Sequence, residues 1–212
     1  MDVSIERILA LKFLPIVDFE SIINAEALLE TMLEQSVPIL QVNFKNPQQL
    51  QQADVIGELT KKYPEMKIGA GFFYSSEDAE IAIKKGAQFV VSSVLAKDLP
   101  IVAAKYNVPA IISGFTPTEI YDAHKTQSDL VQIFPASQLH YKSIVSILEY
   151  LPNANFILTG GLTISSALEF LRFGAKAVAL KGALFSKIDL LEENYQKIGN
   201  SIRNFRSRVQ HN

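Results

Sequence analysis

D-L-V-Q-I-F-P-A, residues Asp129–Ala136, is the stretch that decides the fold. Its run from Leu130 to Phe134 is apolar except for Gln132, which is typical of a short buried strand. Proline has no backbone N–H to donate to a sheet, so Pro135 marks the end of this strand. We therefore examine whether short buried strands of this kind recur along the rest of the chain.

Strand-like and helical patterns alternate along the whole chain. The apolar, strand-like runs are Phe13–Val17, Pro38–Phe44, Met66–Gly71, Gln88–Ser92, Val108–Ser113, Leu130–Phe134, Asn155–Thr159 and Lys176–Leu180. The helical patterns are Ser4–Ala10, Ser21–Gln35, Pro47–Tyr63, Ser75–Lys85, Asp98–Tyr106, Pro117–Lys125, Gln138–Tyr150, Thr163–Phe173 and Leu190–Val209. Short connections between such units predict a parallel α/β architecture. An open doubly wound sheet is the alternative, but eight units in 212 residues favour closure into a single (β/α)8 TIM barrel over residues 1–212.

Composition excludes several classes of function. A net charge of -2 gives no electrostatic footprint for nucleic acid or for an anionic membrane surface. The chain has no cysteine, and His124, His140 and His211 lack metal-ligand spacing, so we predict no metal site. No apolar run approaches the ~20 residues of a spanning helix, and the acidic N-terminus is unlike a signal peptide. We therefore expect a cytoplasmic protein with neither nucleic acid nor membrane as a partner.

The strand ends carry the candidate site residues, because a barrel places its functional face there. Alternation along the second strand puts Gln41, Asn43 and Lys45 on one face. The seventh strand ends in Thr159-Gly-Gly161, whose paired glycines let backbone N–H groups approach an anion. Lys181 and Gly182 follow the eighth strand. These features also have plain interpretations: Thr159-Gly-Gly161 as an ordinary turn, and Lys45 and Lys181 as surface lysines at strand ends.

Taken in order on successive strand ends, G-A-G, T-P-T-E, F-P-A and T-G-G resemble the 2-keto-3-deoxy-6-phosphogluconate and 2-keto-4-hydroxyglutarate (KDPG/KHG) aldolases. The family's sixth strand reads Lys-Phe-Phe-Pro-Ala-Glu, and its lysine forms a Schiff base with the keto acid. The family cleaves 2-keto-4-hydroxy acids to pyruvate. The resemblance thus implies a (β/α)8 barrel, a homotrimer and chemistry without a cofactor.

The chain departs from the family pattern at the reacting positions. Gln132 stands where the family has its lysine, and Gln41 where it has its catalytic glutamate. An amide nitrogen cannot condense with a carbonyl, so we assign no catalytic residue with certainty. Both replacements remove a charge, and the two amides could hydrogen-bond one another. The candidate ligand-binding set is Lys45, Phe72, Thr159, Gly160, Gly161, Lys181 and Gly182. Relative to the family pattern, Lys45 replaces an arginine, Phe72 replaces a threonine and Lys181 is added.

Three hypotheses follow from this pattern. In the first, a non-catalytic or substrate-shifted barrel binds a small anionic metabolite, either a keto acid or a sugar phosphate. In the second, the protein is a working lyase in which Lys45 or Lys181 supplies the amine. In the third, the chain is a structural or interaction protein that keeps only the fold.

Overall fold

A computed structural model describes residues 2–22, 25–152 and 154–210. His211 lies outside the described residues, as do residues 23 and 24 of the predicted helix Ser21–Gln35. The strands and helices below refer to this part of the chain.

The strands form a closed parallel barrel in which each strand pairs with its neighbours in sequence and β1 also pairs with β8. Their bounds are β1 Phe13–Asp18, β2 Ile39–Asn43, β3 Lys67–Phe73, β4 Val90–Ser92, β5 Ala110–Gly114, β6 Leu130–Ile133, β7 Phe156–Thr159 and β8 Ala177–Leu180. This arrangement confirms the predicted (β/α)8 barrel and excludes the open doubly wound sheet.

Helices alternate with the strands along the chain, beginning with α1 before β1. Their bounds are α1 Val3–Leu11, α2 Glu26–Glu34, α3 Pro47–Gln51, α4 Asp54–Lys62, α5 Ser76–Lys84, α6 Leu99–Ala104, α7 Pro117–Lys125, α8 Tyr141–Tyr150, α9 Ile164–Arg172, α10 Lys187–Leu191 and α11 Tyr195–Gln210.

Two of the predicted helices are interrupted. The predicted helix Pro47–Tyr63 is divided into α3 and α4, because Gln52 and Ala53 donate backbone hydrogen bonds to the third residue before them instead of the fourth. The predicted helix Leu190–Val209 is divided at Glu193, whose φ of 53° is left-handed and cannot continue a right-handed helix.

The barrel interior is apolar at the amino-terminal ends of the strands, which α1 covers. Ile5 and Ile8 of α1 are buried in the same cluster as Leu14, Phe89 and Leu130 from the strands. Among the described residues, this end of the interior is filled by apolar side chains. A second buried cluster lies between the strands and the outer helices.

No helix within the described ranges is long and apolar enough to cross a membrane. The same residues contain no group of three His, Cys, Asp or Glu side chains that could hold a metal ion.

Candidate functional site at the barrel mouth

A cavity of about 480 Å³ opens at the carboxyl ends of the strands. Gln41 and Asn43 of β2 line it, as does Gln132 of β6. Thr159, Gly160, Gly161, Lys181 and Gly182 line its other part, at the ends of β7 and β8. Of the predicted site residues, only Lys45 lies outside the lining of this cavity, in a small adjacent pocket.

Gln132 is held by a hydrogen-bonded chain across three strands. Its Nε2 donates to Ser113 Oγ at 2.7 Å, and Ser113 Oγ donates to the Ser92 carbonyl at 2.6 Å. The Gln132 Nε2 also lies 3.4 Å from that carbonyl. In this arrangement Nε2 points towards the strands, because Ser113 Oγ gives its proton to the carbonyl and accepts from the amide. No described residue donates a hydrogen bond to the remaining atom, Oε1 of Gln132.

Gln41 packs over Gly71 and is paired with Asn43. Its Nε2 donates to Asn43 Oδ1 at 2.8 Å, while its Oε1 is buried without a hydrogen-bond partner among the described residues. A Cβ at Gly71 would lie 2.3 Å from the Gln41 Nε2, so only glycine leaves room for this amide. An unpaired buried carbonyl oxygen costs about 1–3 kcal/mol.

The two glutamines do not hydrogen-bond one another in the part of the chain that the structure describes. The amide of Gln41 bonds Asn43 on its own strand, and that of Gln132 bonds Ser113 on the neighbouring strand. Both side chains are nonetheless almost fully buried, at 3% and 4% exposure, and line the same cavity. The sequence suggested a direct contact between them, but each amide nitrogen donates to a different partner.

Phe72 forms part of the cavity wall with a strained backbone. Its φ of 74° is left-handed, at the point in β3 where the register against β4 shifts. The half-buried ring lines the mouth cavity and also the small pocket that contains Lys45. Phe73, the next residue, is buried and stacks on Phe44 with 6.5 Å between ring centroids.

Backbone N–H groups converge beside the cavity at the ends of β7 and β8. Gly160 and Gly161 have φ values of 93° and 70°, and a Cβ at Gly161 would lie 2.7 Å from Ser137 Oγ. No described residue accepts a hydrogen bond from the N–H of Gly161 or Leu162, nor from that of Gly182 or Ala183. In other proteins, successive unpaired N–H groups form concavities that bind anions.

Asp18 joins the two candidate lysines. Lys45 Nζ lies 2.8 Å from the Asp18 carboxylate, and Lys181 Nζ lies 3.3 Å from each of its oxygens. The sequence analysis did not identify Asp18, although the residue directly follows the apolar part of β1 at the functional end of the barrel. Its position was therefore a usable signal that was missed.

The sequence model of the KDPG and KHG aldolase family matches residues 5–201. The chain belongs to this family. It is 27% identical over 168 residues to a 2-dehydro-3-deoxy-phosphogluconate aldolase of Treponema pallidum, covering 79% of this chain and 77% of that protein. It is 24% identical over 201 residues to the protein of the same name from Haemophilus influenzae, covering 94% and 93%.

A solved member of the family has the same fold. KDPG aldolase from Legionella pneumophila, with pyruvate captured as a covalent carbinolamine intermediate, superposes with a TM-score of 0.83. The alignment covers 96% of this chain and 98% of that chain, at 18% identity. At this identity the similarity shows the fold alone.

One of the motifs shared with the family has a structural role here. Thr116 caps α7 by accepting from the Glu119 N–H, and the Glu119 carboxylate accepts from the backbone N–H groups of Thr116 and Phe115. Pro117 occupies the first helical position, where no N–H is needed. The T-P-T-E sequence is therefore explained by the start of a helix.

Proposed function

We propose that this member of the aldolase family binds a small phosphorylated metabolite at the barrel mouth and does not carry out Schiff-base cleavage. The observation that carries the proposal is the set of unpaired N–H groups at Gly161, Leu162, Gly182 and Ala183, which line the same cavity as Lys181. Several N–H donors and one cation match the acceptor oxygens and the charge of a phosphate.

The side chains in the cavity support the absence of imine chemistry. A Schiff base needs a neutral amine that can reach the carbonyl carbon. Lys181 is the one lysine among the described residues that line the cavity, and its ammonium group is paired with Asp18. By resemblance, Gln132 and Gln41 occupy the family's lysine and glutamate positions, and neither amide can replace the group it stands for.

The alternatives receive less support. A lyase that used Lys45 would need its amine in the cavity, whereas Lys45 lies in the adjacent pocket and pairs with Asp18. A cavity of about 480 Å³ at the mouth, a size that is typical of small-molecule sites, favours a ligand-binding barrel over a purely structural one.

The test is a calorimetric titration of the wild-type protein and of Lys181→Ala with inorganic phosphate. We expect the wild type to bind phosphate and Lys181→Ala to bind it more weakly, by about 1–3 kcal/mol for a charge-assisted hydrogen bond. Lys176→Ala is the matched control, because Lys176 precedes the opposite end of the same strand and should not affect binding. Absence of phosphate binding, or equal affinity in all three proteins, would contradict the proposal.

A further inference from the structure

Asp18 lies between the two candidate lysines because its strand is flanked by theirs. It ends β1, which pairs with β2 on one side and with β8 on the other. Lys45 follows shortly after the last residue of β2, and Lys181 directly follows β8. The three charged side chains therefore meet at the carboxyl ends of three adjacent strands.

The two ion pairs of Asp18 are unequal. Lys45 Nζ lies 2.8 Å from Asp18 Oδ2, which is a normal length for a charge-assisted hydrogen bond. Lys181 Nζ lies 3.3 Å from each carboxylate oxygen, which is longer than such a bond. One carboxylate thus faces two ammonium groups, so the three side chains together carry an excess of positive charge, and Lys181 is the more loosely held cation.

Lys45 is not part of the mouth cavity itself. It lines the small adjacent pocket, and Phe72 is the residue that both linings share. The backbone N–H of Lys45 donates to Gln49 Oε1 at 2.7 Å, which fixes the point from which its side chain extends to Asp18. In this position Lys45 acts on a ligand in the cavity either through Asp18 or through its charge at a distance.

The release of Lys181 from Asp18 has a different cost with and without Lys45. When Lys181 turns from Asp18 to a phosphate in the cavity, the carboxylate keeps its shorter ion pair with Lys45. Without Lys45, the same movement leaves a carboxylate that is only 25% exposed without either of these cations, at the end of the barrel where the phosphate binds. Because two anions repel one another, Lys181 would then stay on Asp18 for more of the time.

From these contacts we infer that Lys45 is a positioning residue for the phosphate site, which holds Asp18 so that Lys181 is free to bind the ligand. The inference rests on the proposed function, because it concerns the same site. It gives Lys45 a role that needs no contact with the ligand and no covalent step.

A double-variant cycle in calorimetry with inorganic phosphate at low salt, where partly exposed charges are least screened, tests this role. Lys45→Met should weaken phosphate binding by about two- to fivefold, the range expected for a partly exposed ion pair. In an Asp18→Asn background the same substitution should lose this effect, since no carboxylate remains to hold Lys181. Lys45→Arg keeps the charge and should bind phosphate as the wild type does.

Lys97→Met is the matched control for Lys45→Met. It removes the same charge and breaks a partly exposed ion pair with Asp122, but neither of these residues lines the cavity. Equal weakening by Lys45→Met with and without Asp18 would show that Lys45 attracts the ligand itself, and would overturn the inference. Wild-type affinity in a folded Lys45→Met protein would overturn it as well.

The same titrations separate the inference from the proposed function. If phosphate binds to the wild type and more weakly to Lys181→Ala, but Lys45→Met binds it as the wild type does, the inference fails and the proposed function stands. If the wild type does not bind phosphate, the proposed function fails and the inference fails with it.

Discussion

Asp18 forms ion pairs with both lysines near the cavity, so it lowers the positive charge that the site offers to an anion. Asp18→Asn should release Lys45 and Lys181 and tighten phosphate binding. We expect a gain of about two- to fivefold, because partly exposed ion pairs typically contribute about 0.2–1 kcal/mol. Calorimetry with inorganic phosphate measures this change.

Asp54→Asn is the control for the effect of Asp18→Asn. It breaks an ion pair with Lys85 and changes the net charge by the same amount, but none of the cavity-lining residues takes part in that pair. A weaker affinity in Asp18→Asn would show that the carboxylate positions Lys181 for the anion and does not compete with it.

Residue types at strand ends could be predicted from the sequence, but the pairing of those residues could not. Gln41 and Gln132 were placed at the mouth by the positions of their strands, and both line the cavity. The partner of Gln132 depends on register, because Ser113 lies directly beside it across β5 and β6. Asp18, the partner of both lysines, likewise lies across β1 and β2 beside Asn43. Such lateral neighbours are far apart in sequence, so local periodicity does not reveal them.

At the scale of elements, the start of α7 links stability to pH. Backbone hydrogen bonds from Thr116 and then Phe115, together with the Thr116 side chain, lower the pKa of Glu119 below its ordinary value of 4.5. A carboxyl group whose pKa is lowered on folding stabilises the native state above its unfolded pKa. That contribution is lost as the pH falls below 4.5 and through the lower pKa of the folded state.

Glu119→Gln should therefore lose less stability than the wild type on acidification, since its amide oxygen still accepts hydrogen bonds but carries no charge. Denaturant unfolding at neutral and acidic pH measures the difference. Glu169→Gln, on the exposed face of α9, should keep the acid sensitivity of the wild type. Equal acid sensitivity of Glu119→Gln and the wild type would contradict this assignment.

Thr116→Ala should lower the free energy of unfolding by about 0.5–2 kcal/mol at neutral pH, because the helix cap is lost.

Helix positions could be predicted well, but helix continuity could not. The apolar stripe of Pro47–Tyr63 persists through the break between α3 and α4, because the interruption lies in the backbone hydrogen bonds. Glu193 likewise gives no compositional signal of its left-handed conformation, which divides α10 from α11.

At the scale of the whole molecule, the barrel could be predicted because every unit repeats one pattern. Each buried strand leads into an amphipathic helix, and eight such units close a parallel sheet without free edges. Function is a different matter, since a shared fold does not fix the chemistry of a site. In the function that we propose for this chain, the chemistry depends on two buried amides, a set of backbone N–H groups and one shared carboxylate.

The most direct test of the central claim, that the site binds without imine chemistry, is reductive trapping with pyruvate and borohydride, followed by peptide mass spectrometry. We predict that no lysine of the wild type gains an adduct, while Gln41→Glu with Gln132→Lys and Phe72→Thr gains one at position 132. The triple variant serves as the positive control, because it restores the amine, the acid/base group and the space beside them. An adduct on Lys45 or Lys181 of the wild type would contradict the account and establish a relocated Schiff base.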